Sequence, residues 1–255
     1  MPHKNFKIIK VEELPDAEAL ITGEITLPFL VASRAEAIKS LNKVLSLPGF
    51  RQGHIPEDVL VKNAGEMRIL EETAEIALAK EYMNILEESK VKAISRPEIA
   101  VTKLAPGVPL EFKLKVPVEP QFDLPDYKKI AKEVPIEEIP AQEDPTQFEI
   151  EKSKAREKRR LKIIENIVKD VKLTVPKMLV EAELHHMMGH FKADVEKAGV
   201  KWDEYMKKIE KTEDEIRDGW REQITERAKA EFILSRIARE EKLDSYQKVF
   251  DFLEA

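Results

Sequence analysis

The 255-residue sequence contains no cysteine, only eight glycines and just 6% aromatic residues. Without thiols there is no disulfide, no thiolate metal site and no cysteine nucleophile, and redox chemistry leaves the compartment open. So few aromatic rings argue against the dense lining found around flat cofactors. Long apolar runs are also missing. No stretch approaches the roughly 20 residues that span a bilayer, and MPHKNFKIIKVEELPD at the N-terminus lacks the apolar centre of a signal peptide. The expectation is a cytoplasmic protein with no membrane partner. Positive charge is in deficit, 43 Lys and Arg against 49 Asp and Glu, for a net charge of −6. General affinity for nucleic acid relies on surplus cations, so any contact with RNA has to be local. There is no phosphate loop, dinucleotide fingerprint, nucleophile elbow or Ser/His/Asp order, and the carboxylates lie scattered. Neither a catalytic site nor a cofactor is expected.

What the chain does have is charge, at 36%, and enough hydrophobic residues, at 42%, for real cores. Its length suits two domains and its composition suits long helices with solvated faces. Residues 6–11 and 19–27 read as strands separated by a Pro15-Asp16 turn signal, with Ile21, Ile25 and Leu27 on one face. From Pro28 the three- and four-residue steps of Ala32, Ala35, Ile38, Leu41 and Leu45 predict a helix, which carries Arg34, Lys39 and Lys43 against Glu36 alone. A short helix ends at Gly65, and a longer one follows with Met67, Leu70, Ala74, Leu78, Tyr82 and Ile85 along one side and a solvated acidic face. LEFKLKVPV from Leu110 alternates without a break, and with residues 98–103 it completes about four strands around two or three helices. This predicts an α+β domain over residues 1–118.

Residues 119–149 hold five prolines and many acids without an apolar period, and read as a linker or extended arm. Residues 150–255 read as all-α and arm-like. One helix covers KSKAREKRRLKIIENIVKDV, the next is opened by Pro176 and closed by Gly199, and a third starts at a Thr212/Glu215 capping-box pattern. Asp244 is the expected cap of a last helix with Val249, Phe250 and Leu253 inward. The basic run Lys152, Lys154, Arg156, Lys158, Arg159 and Arg160 reads as a solvated helix face, with an RNA contact as the alternative. In HHMMGH, His186 and His190 share one helical face beside His185, but no carboxylate is placed with them and no metal is expected. Met187, Met188 and Phe191 suit an adaptable binding surface, although methionine at helical spacing also makes plain core.

The most shaped stretch is LPGFRQGHIP, where Gly49 and Gly53 free the backbone, Pro48 and Pro56 stiffen the flanks, and Phe50 and Arg51 stand at the tip. An apolar ring beside a guanidinium suits docking onto a surface, the alternative being a turn whose ring folds back into its own domain. Gly49-Phe50-Arg51-Gln52-Gly53-His54-Ile55-Pro56 resembles the ribosome-docking loop of the bacterial trigger factor family, whose pattern runs Gly-Phe-Arg-Lys-Gly-Lys-x-Pro. Two later stretches agree with that family in order, LKIIENIVKDVKLTVPKMLVEAEL with the opening of its substrate-cradling domain and KTEDEIRDGWREQITERAKAEFILSRIAREEKL with an arm helix.

The resemblance implies an ATP-independent chaperone that docks near the ribosomal exit tunnel and shields apolar segments of nascent polypeptides. Ribosome contact would fall on Gly49, Phe50, Arg51, Gln52 and Gly53, flanked by Lys39 and Lys43, with Gln52 and His54 replacing two lysines of the pattern. Client contact would fall on Leu179, Met187, Met188, Phe191, Trp220 and Phe232. About 30 residues separate the halves where the family usually inserts a prolyl-isomerase domain, so no isomerase activity is expected. The rival readings are a ribosome-independent holdase and a helical scaffold or assembly protein with one dedicated partner.

Overall fold

Strict alternation over residues 110–116 makes one buried and one open strand face, and the sheet is built around that strand. The computed structural model describes residues 5–137, 140 and 145–254. The first unit, Met1–Glu119, contains β1 (Phe6–Leu14), β2 (Glu18–Ile25), β3 (Glu98–Lys103) and β4 (Leu110–Pro117). They form one antiparallel sheet in the order β1-β2-β4-β3. Asp16 and Ala17, with φ of 66° and 52°, turn the chain between β1 and β2. Ile21, Ile25, Phe112 and Leu114 are fully buried on one face. On the other, Lys115 pairs with the buried Glu18 at 2.7 Å.

Three helices complete this unit: α1 (Leu27–Val44), α2 (Glu57–Ala64) and α3 (Glu66–Ser89). Leu30 of α1 and Ala74, Ala77, Leu78 and Ile85 of α3 close the sheet's core. A second, smaller core gathers Ile38 and Leu41 of α1, Ile69 of α3, Leu60 of α2 and Ile55. Leu27 opens α1 instead of ending the second strand. In α3 the inward arc is wider than the expected single stripe, because one 24-residue helix serves both cores. Met67 is therefore exposed, whereas Ile69, Ala77 and Glu81 turn inward. Glu81 departs from the expected solvated acidic face, its carboxylate accepting hydrogen bonds from Asn5 Nδ2 at 2.7 Å and Asn84 Nδ2 at 2.8 Å.

The second unit, Pro120–Ala255, is helical: α4 (Tyr127–Glu133), α5 (Pro145–Asp170), α6 (Lys177–Lys197), α7 (Trp202–Ile209), α8 (Glu213–Glu240) and α9 (Tyr246–Glu254). Both halves of the Thr212/Glu215 capping box form. The segment expected to be a linker supplies Tyr127, Ala131 and Val134 to a core with Ile163, Ile167, Ile233 and Val249. Its apolar residues sit at short helical spacing between prolines, which masked their period. The Tyr127 hydroxyl donates to Glu241 at 2.6 Å, holding α4 to the end of α8. Residues 138, 139 and 141–144 of the segment lie outside the described residues.

Four residues of the basic run of α5 are committed internally. Arg156 and Arg160 both reach Asp251 and Glu254 of α9 at 2.7–2.9 Å, Lys158 pairs with Glu137, and Arg159 donates to the Val134 carbonyl at 3.3 Å. This removes the RNA alternative for Arg156 and Arg160, whose charges are met by carboxylates. The Asp244 cap is also displaced by one residue: Ser245 Oγ accepts from the Lys248 amide at 3.4 Å, and Asp244 instead pairs with Lys248 Nζ at 2.7 Å.

Candidate functional site

The loop over residues 45–56 hangs from the end of α1 by backbone geometry that only certain residues permit. Gly49 and Gly53 have φ of 88° and 83°, where a Cβ is strained. Two turns follow one another, Phe50 N–H donating to the Leu47 carbonyl at 3.1 Å and His54 N–H to the Arg51 carbonyl at 3.0 Å. The brace is Asn42. Its Nδ2 donates to the Ile55 carbonyl at 2.7 Å, its Oδ1 accepts from Ile55 N–H at 3.1 Å, and its own carbonyl accepts from Gly53 N–H at 2.9 Å. Ile55 drops into the smaller core and anchors the far end.

What this frame presents is a short surface of mixed chemistry. Phe50 is 39% exposed, and Arg51, Gln52, Lys39 and Lys43 are all exposed. Among the described residues, Arg51, Lys39 and Lys43 have no carboxylate partner, whereas Arg34 is paired with Glu66 at 2.9 Å and leaves the basic patch. Gln52 Nε2 donates to the Val44 carbonyl at 3.2 Å, so the residue standing in a lysine position braces the loop. Val44, 70% exposed beside this bond, was not singled out by sequence; its outward position at the end of an otherwise amphipathic helix was the available signal.

In the second unit, α6, α8 and α9 enclose an open cleft of about 360 Å³. Leu179, Ile224, Phe232 and Tyr246 give it apolar walls, and Glu183, Arg227 and Glu231 give it a charged margin. Leu179 and Phe232 thus share one surface. Met187 and Trp220 are half-buried against Val180, Leu184 and Ile224. Phe191 is central to an aromatic cluster, edge-on to Trp202, Tyr205 and Trp220 with centroids 5.4–5.6 Å apart. Trp202 and Tyr205 were missed, since α7 is short and lies between the helices whose periods are strong. Met188 corrects the expectation of client contact: it is only 2% exposed, because its position on α6 faces the helix partner. His186 and His190 lie together on the exposed side of α6, and no group of three or more metal-ligating residues occurs among the described residues.

These features define a class: an α+β unit carrying a braced, outward-facing loop, joined in one chain to a helical unit with an open apolar cleft. The family model described as bacterial trigger factor protein (TF) matches residues 8–153, more than half of the chain, and that of the trigger factor C-terminus matches residues 144–249. The chain belongs to the bacterial trigger factor family. The two matches overlap, so no isomerase domain is inserted between them. Trigger factor of Cutibacterium acnes is 37% identical over 130 residues, 51% of this chain and 24% of that protein. Trigger factor of Rhodococcus erythropolis is 38% identical over 128 residues, 50% of this chain and 28% of that one. The matched stretch thus spans about a quarter of each relative's length. A solved structure of the trigger factor chaperone superposes with a TM-score of 0.61 at 13% identity, covering 93% of this chain and 86% of that one, a likeness of fold.

Proposed function

We propose that the protein is an ATP-independent chaperone that docks near the ribosomal exit tunnel through the 49–53 loop and shields apolar segments of nascent chains in its helical unit. The observation that carries this is the braced loop: Phe50 and Arg51 are held outward while Asn42 and Ile55 take up the structural work. A guanidinium without a carboxylate partner is free to make charge-assisted bonds to an acidic or phosphate-bearing surface. Lys39 and Lys43 add local positive charge on the preceding helix. The α6–α8–α9 cleft and the aromatic cluster at Phe191 offer apolar area that a client segment buries at about 25 cal/mol per Å² and leaves again when folding buries it elsewhere. The arm-like role of the helical unit belongs to the same reading, and the absence of any phosphate-loop motif in the sequence supports binding without ATP.

Ribosome co-sedimentation of wild type and Arg51→Ala at one salt concentration tests docking. The expected loss is about 1.5–3 kcal/mol, more than tenfold, with thermal stability nearly unchanged because the side chain lies outside both cores. Equal affinities would leave the loop a turn, and a matching loss of stability would make Arg51 structural. A ribosome-independent holdase is the second reading, favoured by the neutral Gln52 and its bond to Val44. It predicts unchanged suppression of client aggregation in a variant that never binds ribosomes.

A further inference from the structure

A cluster that neither the loop nor the cleft uses lies on α6. His186 and His190 are both exposed and hydrogen-bonded to each other, their Nε2 atoms 3.2 Å apart and their rings nearly perpendicular, at 77° with centroids 4.4 Å apart, so a metal ion bound between them would take the place of the shared proton. We propose that this pair is a bidentate site for a transition-metal dication of the zinc class, with solvent completing the coordination shell. Zinc–imidazole bonds are about 2.0–2.1 Å long, so two nitrogens 3.2 Å apart subtend an angle of about 100° at the metal, close to tetrahedral. Paired imidazoles suit zinc, copper and nickel, whereas magnesium and calcium require oxygen ligands. Because no third His, Cys, Asp or Glu joins the pair among the described residues, the remaining positions stay open to water.

The site also has a structural consequence. Gly189 lies inside the turn that the two histidines bracket, and a Cβ there would meet nothing within 4 Å. Packing does not require that glycine, which weakens the helix interior where it stands. A cation bonded to His186 and His190 closes this turn from outside. The same helix supplies Leu179, Val180 and Glu183 to the cleft wall, so the bound cation stiffens α6 just beyond the cleft. The assignment rests on the geometry of the pair and stands apart from the chaperone reading.

Calorimetric titration of the full chain with zinc chloride, with magnesium chloride as comparison, tests the site. One zinc per chain is expected, bound at least tenfold more weakly by His186→Ala and by His190→Ala and unchanged in His185→Ala, with no saturable magnesium binding. Saturating zinc should slow amide hydrogen exchange around Gly189 in the wild type and leave His190→Ala unaffected. Alanine on an exposed helical face raises helix propensity, so these variants are expected to fold, and circular dichroism checks that they do. Failure to saturate at millimolar zinc, equal binding by wild type and the His186→Ala/His190→Ala double variant, or loss of binding in His185→Ala alone would overturn the assignment.

Discussion

Removing the Asn42 side chain should loosen the loop without touching a residue that it presents. Ile55 is only 3% exposed, and Asn42 satisfies both of its backbone groups, at 2.7 and 3.1 Å. Asn42→Ala leaves a donor and an acceptor unpaired, each of which costs about 1–3 kcal/mol when water cannot replace the partner. Asn42 is itself half-buried, so water reaches part of the vacated space, and alanine recovers about 0.5 kcal/mol of helix propensity. The expected net loss is about 1.5–2 kcal/mol, read from the midpoint of urea unfolding at constant slope. Hydrogen exchange at the amides of Ile55 and Gly53 should accelerate more than exchange in β2 and β4, which belong to the other core. Asn42→Asp keeps the volume but sets a carboxylate against the Ile55 carbonyl, so a loss at least as large identifies the hydrogen bonds rather than packing as the cause. A loss below about 0.5 kcal/mol with unchanged protection at Ile55 would refute the reasoning.

Gly23→Ala should destabilise the first unit by about 1–3 kcal/mol, because its Cβ would stand 2.6 Å from Phe112 Cζ and 2.8 Å from the Lys7 carbonyl; calorimetry showing an unchanged transition would contradict this. At Glu254, burial works to raise the carboxyl's pKa, but hydrogen bonds from Arg160 and Arg156 outweigh it and hold the group below its ordinary value. A carboxyl depressed in the folded state contributes stability that is present above its unfolded pKa, near 4.3, and is lost as pH falls below that. Glu254→Gln should therefore flatten the acid limb of the second unit's stability below about pH 5, and an unaltered limb in chemical denaturation across pH would exclude the α5–α9 clasp as its source. Gln52→Lys should strengthen ribosome binding several-fold at low salt, with the gain shrinking as salt rises; a salt-independent gain in co-sedimentation would rule out an added phosphate or acidic contact.

Much of the fold was legible where one periodicity met one partner. LEFKLKVPV shows its buried face directly, because β4 has the sheet's core on one side and open polar residues on the other. The ends of α6 and the cap of α8 were legible through Pro176, Gly199 and the Thr212/Glu215 box, which act within a few residues of chain. Legibility failed where a helix served two partners at once. The inward turn of Ile69 in α3 depends on where α1 and α2 pass, and the burial of Tyr127 and Ala131 depends on α5 together with residues of α8 and α9 more than 100 positions farther along. The same division runs through the candidate sites. The exposure of Phe50 and Arg51 on a shaped loop was legible because glycines and prolines mark a local turn, whereas Asn42 acts across thirteen residues and carries no pattern. Met188 and Phe191 look alike in sequence, and only the rotation of α6 against its partners separates the buried residue from the aromatic cluster.

The arrangement of cores bears on how the proposed docking surface can change. The loop is anchored in the smaller core through Ile55, while the sheet's core is closed by other residues of the same two long helices. A substitution at Arg51 removes charge from a side chain that neither core contains, so affinity is free to vary there at little cost to folding. At Asn42 the two properties are joined, because the bonds that shape the loop also satisfy buried backbone in that core. Gln52 lies between these cases: its single exposed bond to Val44 is weak enough to exchange for a lysine, yet while it is made it draws the side chain back onto α1. Under the proposed docking, a loop that keeps its frame at Asn42 and Ile55 and varies at 51, 52 and 54 would range from tight docking to almost none on one unchanged fold, and the neutral Gln52 would set this chain toward the weaker end of that range.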